Sequence, residues 1–333
     1  MGDIIRWTRE RGAKHVSCPA APHDVRIPEA PKKIDYSKSE AVVPITKVDV
    51  KRLAENKVAI YVDGEGNVIS ADLMGDGGKW WPMPRLGTSK LRDESIYTKT
   101  SIGHPAKMSP LWAQRMIQEY TKPGETIFDP MAGIGTTGME ASRLGRNAVV
   151  MDIESKWVNQ MKWNVGRLRD SGQMRGSVRV LKGDARDIDT SEKGDAIMFS
   201  PPYGHGGLSS GVSTIEGVRS NYVDYAPKGA DNVGLTSGEE YLDQMKRVYG
   251  KCRDKLKPDG VLVVNIKDRV EDGRLVPTTS ETRSLVESAG FRLVADRKVY
   301  AKPSVTRTIH ETRNPDMPHI RHETFLVFKK RGD

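Results

Sequence analysis

Ser200-Pro201-Pro202-Tyr203 directly follows the apolar run Ala196-Ile197-Met198-Phe199, which reads as a buried strand. Two consecutive prolines stiffen the chain and remove two N–H donors, leaving carbonyl oxygens to accept hydrogen bonds. A serine oxygen precedes them and an aromatic face follows. This set suits a flat heterocycle carrying an exocyclic amine: oxygens take the N–H groups, and the ring stacks on Tyr203.

A second segment, Phe128-Asp129-Pro130-Met131-Ala132-Gly133-Ile134-Gly135-Thr136-Thr137, forms a glycine-rich turn that leaves another strand and opens a helix. Asp152 ends the next strand 23 residues after Asp129, about the spacing at which a carboxylate meets ribose hydroxyls. Asp184, in Gly183-Asp184-Ala185-Arg186, follows a third strand and is placed to accept from an adenine amino group. Taken singly, Asp152 and Asp184 read equally well as helix or turn caps. With Gly138, the loop also satisfies Gly-x-Gly-x-x-Gly, so a dinucleotide stays open on pattern alone. Asp129 argues the other way, because a carboxylate facing the loop suits an ammonium better than a pyrophosphate. S-adenosylmethionine carries an ammonium and a sulfonium and no phosphate.

The elements that must position these segments alternate from about residue 105 onward. Strands are expected at Thr126–Asp129, Ala148–Asp152, Val178–Leu181, Ala196–Phe199, Val261–Ile266, Arg292–Tyr300 and Thr324–Lys329. Helices are expected at Leu111–Tyr120, Thr137–Leu144, Lys156–Arg169, Tyr241–Leu256 and Ser280–Ala289. Such alternation implies an α/β fold with a mostly parallel sheet covered on both faces, and ligands beyond the carboxyl ends of its strands. The first hundred residues differ. Residues 18–46 are rich in proline and charge and read as an extended arm. Lys57–Val62 and Val68–Ala71 read as a hairpin, and Gly77–Pro82 as a loop with Trp80 and Trp81.

His104-Pro105-Ala106-Lys107-Met108-Ser109-Pro110, then FDPMAGIGTT and Leu144-Gly145-Arg146, together with the Ser-Pro-Pro-Tyr turn, resemble the DNA amino-methyltransferase family. That family makes N4-methylcytosine or N6-methyladenine with S-adenosylmethionine. The resemblance covers residues 101–204 well and the later sheet as fold only. It implies a Rossmann-like class I methyltransferase: a seven-stranded mostly parallel sheet at 101–333, with an irregular extension at 1–100. It also implies cofactor contacts at Lys107, Met108, Asp129, Gly133, Gly135, Thr136, Asp152 and Asp184, with Pro130 and Thr137 on the same loop. The catalytic group is then Ser200, Pro201, Pro202 and Tyr203. Ser200 Oγ and the Pro201 carbonyl accept the amine hydrogens, draw the nitrogen towards sp³ and stabilise its growing charge. Tyr203 stacks on a base extruded from the duplex.

Within that family a serine ahead of the prolines goes mainly with cytosine N4, and Asp or Asn mainly with adenine N6. The sequence therefore favours cytosine N4 in double-stranded DNA. Alternatives are adenine N6, an RNA guanine-N2 enzyme sharing a Pro-Pro-Tyr loop, and a non-catalytic DNA-binding subunit. A C5 mechanism needs a cysteine nucleophile after proline, and neither Cys18 nor Cys252 stands there. The order of motifs, cofactor loop before catalytic turn, departs from many relatives with an HPAK-like segment. It places Ser200 only 65 positions after Gly135, the interval filled by core elements.

A net charge of +9 in 333 residues favours a polyanionic partner, because phosphate contacts release counterions. Recognition falls to three candidates: Gly204–Ser237 as a flap over the base, the basic stretch Ala301–His322, and the first hundred residues. With no apolar run of about 18 residues and no signal-like start, the expected location is the cytoplasm and no membrane is involved. A cognate restriction endonuclease is a possible further partner.

Overall fold

The computed structural model describes residues 92, 95–102, 108–203, 231–271, 274–300, 318, 320 and 322–332, and the backbone of strands β1 (Val58–Val62), β2 (Val68–Leu73) and β3 (Lys79–Trp81). The chain divides into two compact units, one of Met1–Gly87 with Asp296–Phe325, the other of Thr88–Ala295 with Leu326–Asp333.

In the first unit β1 and β2 form the expected antiparallel hairpin, with Val58 opposite Leu73. Trp80 and Trp81 lie in β3, not in a loop. This strand pairs antiparallel with β2 and parallel with Arg297–Val299. That parallel pairing explains why the division differs from a single cut at residue 100. It joins a segment late in the chain to the early hairpin, and no local pattern in Gly77–Pro82 announces such a partner.

The second unit carries the sequence motifs. Its helices are α1 (Lys99–Ile102), α2 (Pro110–Tyr120), α3 (Thr136–Arg143), α4 (Ser155–Asp170), α5 (Gly238–Lys255) and α6 (Thr278–Ser288). Its main strands are β4 (Thr126–Asp129), β5 (Asn147–Asp152), β6 (Val178–Lys182), β7 (Gly194–Phe199) and β8 (Leu256–Ile266). A small antiparallel pair, β9 (Arg269–Glu271) and β10 (Arg274–Val276), follows. Strands β11 (Phe291–Tyr300) and β12 (His322–Lys330) complete the set, and the unit boundaries fall inside both. Sheet order is β11-β12-β8-β7-β4-β5-β6, with β7, β4, β5, β6 and β8 mutually parallel. This is the Rossmann-like class I methyltransferase fold.

Local chemistry agrees with these elements. Pro110 opens α2, where its missing N–H costs nothing. Helix α5 places Glu239 and Glu240 in its first turn and Arg253 and Lys255 in its last, complementing the helix dipole. The central strands β4 and β7 are buried almost continuously, as expected when helices cover both faces. Edge strand β6 is half-exposed along its length. Alternation along β5 sorts the two faces: Val149 and Met151 join the core with Met245, Val248 and Val286 of α5 and α6, while Val150 meets α3.

Helix α3 approaches the sheet through Gly138. A Cβ there would lie 2.5 Å from Val150 Cγ1, a packed branched side chain with no room to swing away. The third glycine of the loop pattern therefore serves helix–strand packing. Gly138→Val is expected to destabilise the protein by about 1–3 kcal/mol through overpacking. Such a loss lowers the melting temperature by roughly 2–4 °C per kcal/mol. A variant melting like wild type would show that α3 is not held this close.

Candidate active site

The strand order β7-β4-β5-β6 aligns four carboxyl ends in one row. Ser200 follows β7, Asp129 ends β4, Asp152 ends β5 and Asp184 follows β6. The Ser-Pro-Pro-Tyr turn and the three carboxylates that the sequence singled out thus share one edge of one sheet.

Three devices shape the glycine loop. Gly135 has φ +83°, in the left-handed region, and stands at the N-cap of α3. A Cβ there would also press on Met161 at 3.0 Å. Asp129 Oδ1 accepts from the Met131 N–H at 3.0 Å. Asp152 Oδ2 accepts from the Gly133 N–H at 2.8 Å, and its Oδ1 from the Glu154 N–H at 2.9 Å. Pro130 is buried between them. Both carboxyls are nearly closed to water. Burial pushes Asp129 up to about 7 against hydrogen bonds from Thr137 and the Met131 N–H, and the Asp152 charge adds to the rise. Burial likewise pushes Asp152 up to about 6. Among the described residues neither carboxylate pairs with a cation. Two desolvated, mutually repelling carboxyls beside a loop opened by glycine make a cradle for a cationic ligand.

Lys107 lies outside the described residues. Met108 is held by a residue the sequence reading missed: Arg92, buried ahead of α1, donates to the Met108 carbonyl at 2.5 Å and to Thr136 Oγ1 at 3.1 Å. Its guanidinium also sits over the Tyr97 ring, 5.5 Å from the centroid. Arg92 therefore ties the segment before α2 to the start of α3. Asp184 has its own clamp. Arg186 Nε donates to both carboxylate oxygens at 3.0 Å, and the Arg186 N–H to Oδ1 at 2.8 Å. Burial would raise Asp184, but these hydrogen bonds outweigh it and hold the carboxyl below the usual carboxylate range. Arg186 also reaches Asp231 at 2.6 Å. Asp184 is thus a fixed, ionised acceptor with oxygen lone pairs to spare.

At the Pro-Pro turn Ser200 Oγ is buried and has no hydrogen-bond partner among the described residues. A buried hydroxyl left unpaired costs free energy unless a ligand completes it. Pro201 is buried, and Pro202 and Tyr203 are half-buried, with Tyr203 packed against the main core. The Pro202 carbonyl accepts from the Tyr241 hydroxyl at 2.6 Å. Asn265, 6% exposed, lies one residue past the Phe199–Val264 pairing, level with Ser200. Tyr241 carries no local signal, since it reads as an apolar position of α5. Asn265 does, as the polar residue in Val261-Leu262-Val263-Val264-Asn265-Ile266. Cys252 is fully buried and its thiol is pushed up by burial, so it offers no nucleophile.

These residues fit an S-adenosylmethionine-type ligand: cation-seeking carboxyls at the loop, a ribose-height acceptor at Asp152, and an orphaned oxygen at the turn. Of the segments proposed for recognition, 204–230 and most of 301–322 lie outside the described residues. Among the described residues no helix is long and apolar enough to cross a membrane.

Comparison with known proteins returns methyltransferases of several kinds. Residues 26–162 match the DNA methylase family, which supports the resemblance to the DNA amino-methyltransferases carried by the motifs. Residues 114–221 match a second family, described as conserved hypothetical protein 95. The chain is 30% identical over 148 residues to a tRNA (guanine(10)-N2)-dimethyltransferase of Methanothermobacter thermautotrophicus, covering 44% of this chain and 42% of that protein. It is 23% identical over 180 residues to a release factor glutamine methyltransferase of Clostridium acetobutylicum, covering 53% and 55%. The chain spans about half the length of these curated relatives. Among solved structures, TrmN from Thermus thermophilus is similar at 18% identity and a TM-score of 0.39, over 67% of this chain and 49% of that one.

Proposed function

We propose that the protein is an S-adenosylmethionine-dependent methyltransferase that modifies the N4 amine of cytosine in double-stranded DNA. The observation that carries this reading is the buried Ser200 Oγ, without a partner among the described residues, on a Pro-Pro turn in the same row of strand ends as Asp129 and Asp152. When bound, the cofactor supplies an activated methyl on sulfur. The chain's own work is to hold and orient. Asp129 faces the ammonium, Asp152 and Asp184 accept from the ribose and the adenine amine, and the Gly133–Gly135 turn leaves room for close approach. Ser200 Oγ and the Pro201 carbonyl accept the hydrogens of the target amine, and Tyr203 stacks on the base. Fixed oxygens at the point where charge develops stabilise the transition state without reorganising. The match to the DNA methylase family and the net positive charge favour DNA.

A second reading is guanine N2 of tRNA, favoured by the 30% identity to the archaeal dimethyltransferase. Tritiated S-adenosylmethionine offered with duplex DNA and, separately, with tRNA separates them after digestion to nucleosides. Label is expected in N4-methylcytosine. Label confined to N2-methylguanosine selects the second reading, and no label in either substrate overturns both.

Cofactor affinity should also depend on pH. Asp129 must be ionised to face an ammonium, and its carboxyl in the free protein is raised to about 7. Binding therefore releases a proton below that pH, and affinity falls about fivefold as pH drops from 7 to 6, approaching about tenfold per unit further below. Below about 6 the Asp152 carboxyl adds to the loss. Calorimetric titration between pH 8 and 5.5 reads this directly, and Asp129→Asn should remove the upper step. A flat profile would take Asp129 out of the site.

A further inference from the structure

A Pro-Pro turn has no N–H of its own at either proline, so it must be fastened through its carbonyls or by packing. Here both fastenings act on Pro202. Its carbonyl accepts from the Tyr241 hydroxyl at 2.6 Å, and a Cβ at Gly234 would lie 3.6 Å from its ring. The Tyr241 ring is 9% exposed and belongs to the same core as Phe199, Met245 and Tyr249. The hydroxyl is thus fixed by the packing of α5. Burial raises the phenol, so it keeps its proton and remains a donor. The Val233–Leu235 turn beside it is itself pinned. Asn232 Oδ1 accepts from the Gly234 N–H at 2.9 Å, and Asn232 Nδ2 donates to Glu154 Oε1 at 3.0 Å. Glu154 stands two residues after Asp152, so the seat of Pro202 is anchored to the cofactor side of the sheet.

Holding the Pro202 carbonyl sets the plane of the Pro202–Tyr203 peptide. That plane determines where the Tyr203 ring projects and limits how far Ser200 and Pro201 can shift. We infer that Tyr241 is a positioning residue for methyl transfer: its core-fixed hydroxyl fastens the Pro202–Tyr203 peptide and so sets the aromatic platform for the target base. This deepens the methyltransferase reading and rests on it. The Tyr241 hydroxyl is engaged by the Pro202 carbonyl. It acts through the turn.

The test is Tyr241→Phe, which keeps the ring in the core and removes one hydroxyl. Pro202–Tyr203 is the only Pro-Tyr pair in the chain. Selective ¹³C-carbonyl proline and ¹⁵N-tyrosine labelling therefore gives one carbonyl-edited amide resonance, which reports on the bond without any need for activity. In Tyr241→Phe the Pro202 carbonyl resonance is expected to move upfield. Turnover on the nucleic acid that wild type methylates should fall by about 10- to 100-fold, the order expected from a small misplacement at the reacting centre. The dissociation constant for S-adenosylmethionine should not change. Tyr249→Phe is the control: it removes a neighbouring hydroxyl of the same core that makes no bond to the turn among the described residues, and should leave both the resonance and turnover as in wild type. An unmoved Pro202 resonance in Tyr241→Phe overturns the inference, as does a moved resonance with undiminished turnover or an equal loss of turnover in the control. If wild type methylates no nucleic acid, the methyltransferase reading fails and takes this inference with it, while the resonance still reports whether the bond exists.

Discussion

Ser200→Ala should reduce turnover by about 100-fold or more, the scale on which a single preorganised polar group at a reacting centre is felt. Cofactor affinity should stay at the wild-type value, since Ser200 belongs to β7's loop and the cofactor contacts to those of β4, β5 and β6. The expectation for stability is less usual. Ser200 Oγ is buried and has no partner among the described residues, so the ligand-free protein bears the desolvation cost of a polar atom, about 1–3 kcal/mol. Deleting that oxygen relieves the cost, and Ser200→Ala should melt at or above the wild-type temperature. A more stable but nearly inactive variant is the signature of a group held ready for substrate. Single-turnover rates, calorimetric cofactor binding and a thermal melt on one preparation check all three points. Parallel losses of activity, affinity and stability would mean that Ser200 merely supports the fold.

The parts legible in the sequence are those whose information is local. Thr126–Asp129 is bounded by Pro123-Gly124 and the glycine loop, and the strand falls where the pattern puts it. Asp129, Asp152 and Asp184 are each marked by position at a strand end, and parallel order then brings them together. What stayed hidden depends on distant partners. Trp80-Trp81 reads as a loop because its pairing partner, Lys298-Val299, lies more than 200 residues away. Arg92 looks like any surface arginine until the fold places it against Met108 and Thr136. Arg186 follows Asp184 closely enough to be read as a turn residue, yet its second arm holds Asp231. Gly138 is a further case: its place in the glycine pattern is visible in the sequence, while the neighbour that requires it, Val150, is not. A motif records that a small residue is required, and only the packing reveals what requires it.

Asp152→Ala should weaken S-adenosylmethionine binding by about 100-fold or more. Two ribose hydroxyls donating to an ionised carboxylate contribute about 1.5–3 kcal/mol each, and each 1.4 kcal/mol corresponds to about tenfold in affinity. The side chain has a second task that makes the loss steeper. Its oxygens also accept from the Gly133 and Glu154 N–H groups, so alanine leaves two backbone donors without their partner and loosens the loop. Asp152→Asn separates the two tasks. One amide oxygen can replace the acceptor for a single backbone donor, but the charge that strengthens every bond at this site is gone. Affinity should therefore fall for both variants, with asparagine intermediate. At saturating cofactor, turnover should recover more fully in Asp152→Asn than in Ser200→Ala, because the proposed function assigns the methyl donor to Asp152 and the acceptor amine to Ser200. Asp184→Ala should cost less than either Asp152 variant, since the Asp184 side chain is 29% exposed and already shared with Arg186. Unchanged affinity in Asp152→Ala would remove the carboxylate from the ribose site. Its burial and its bonds to the loop would then be purely architectural.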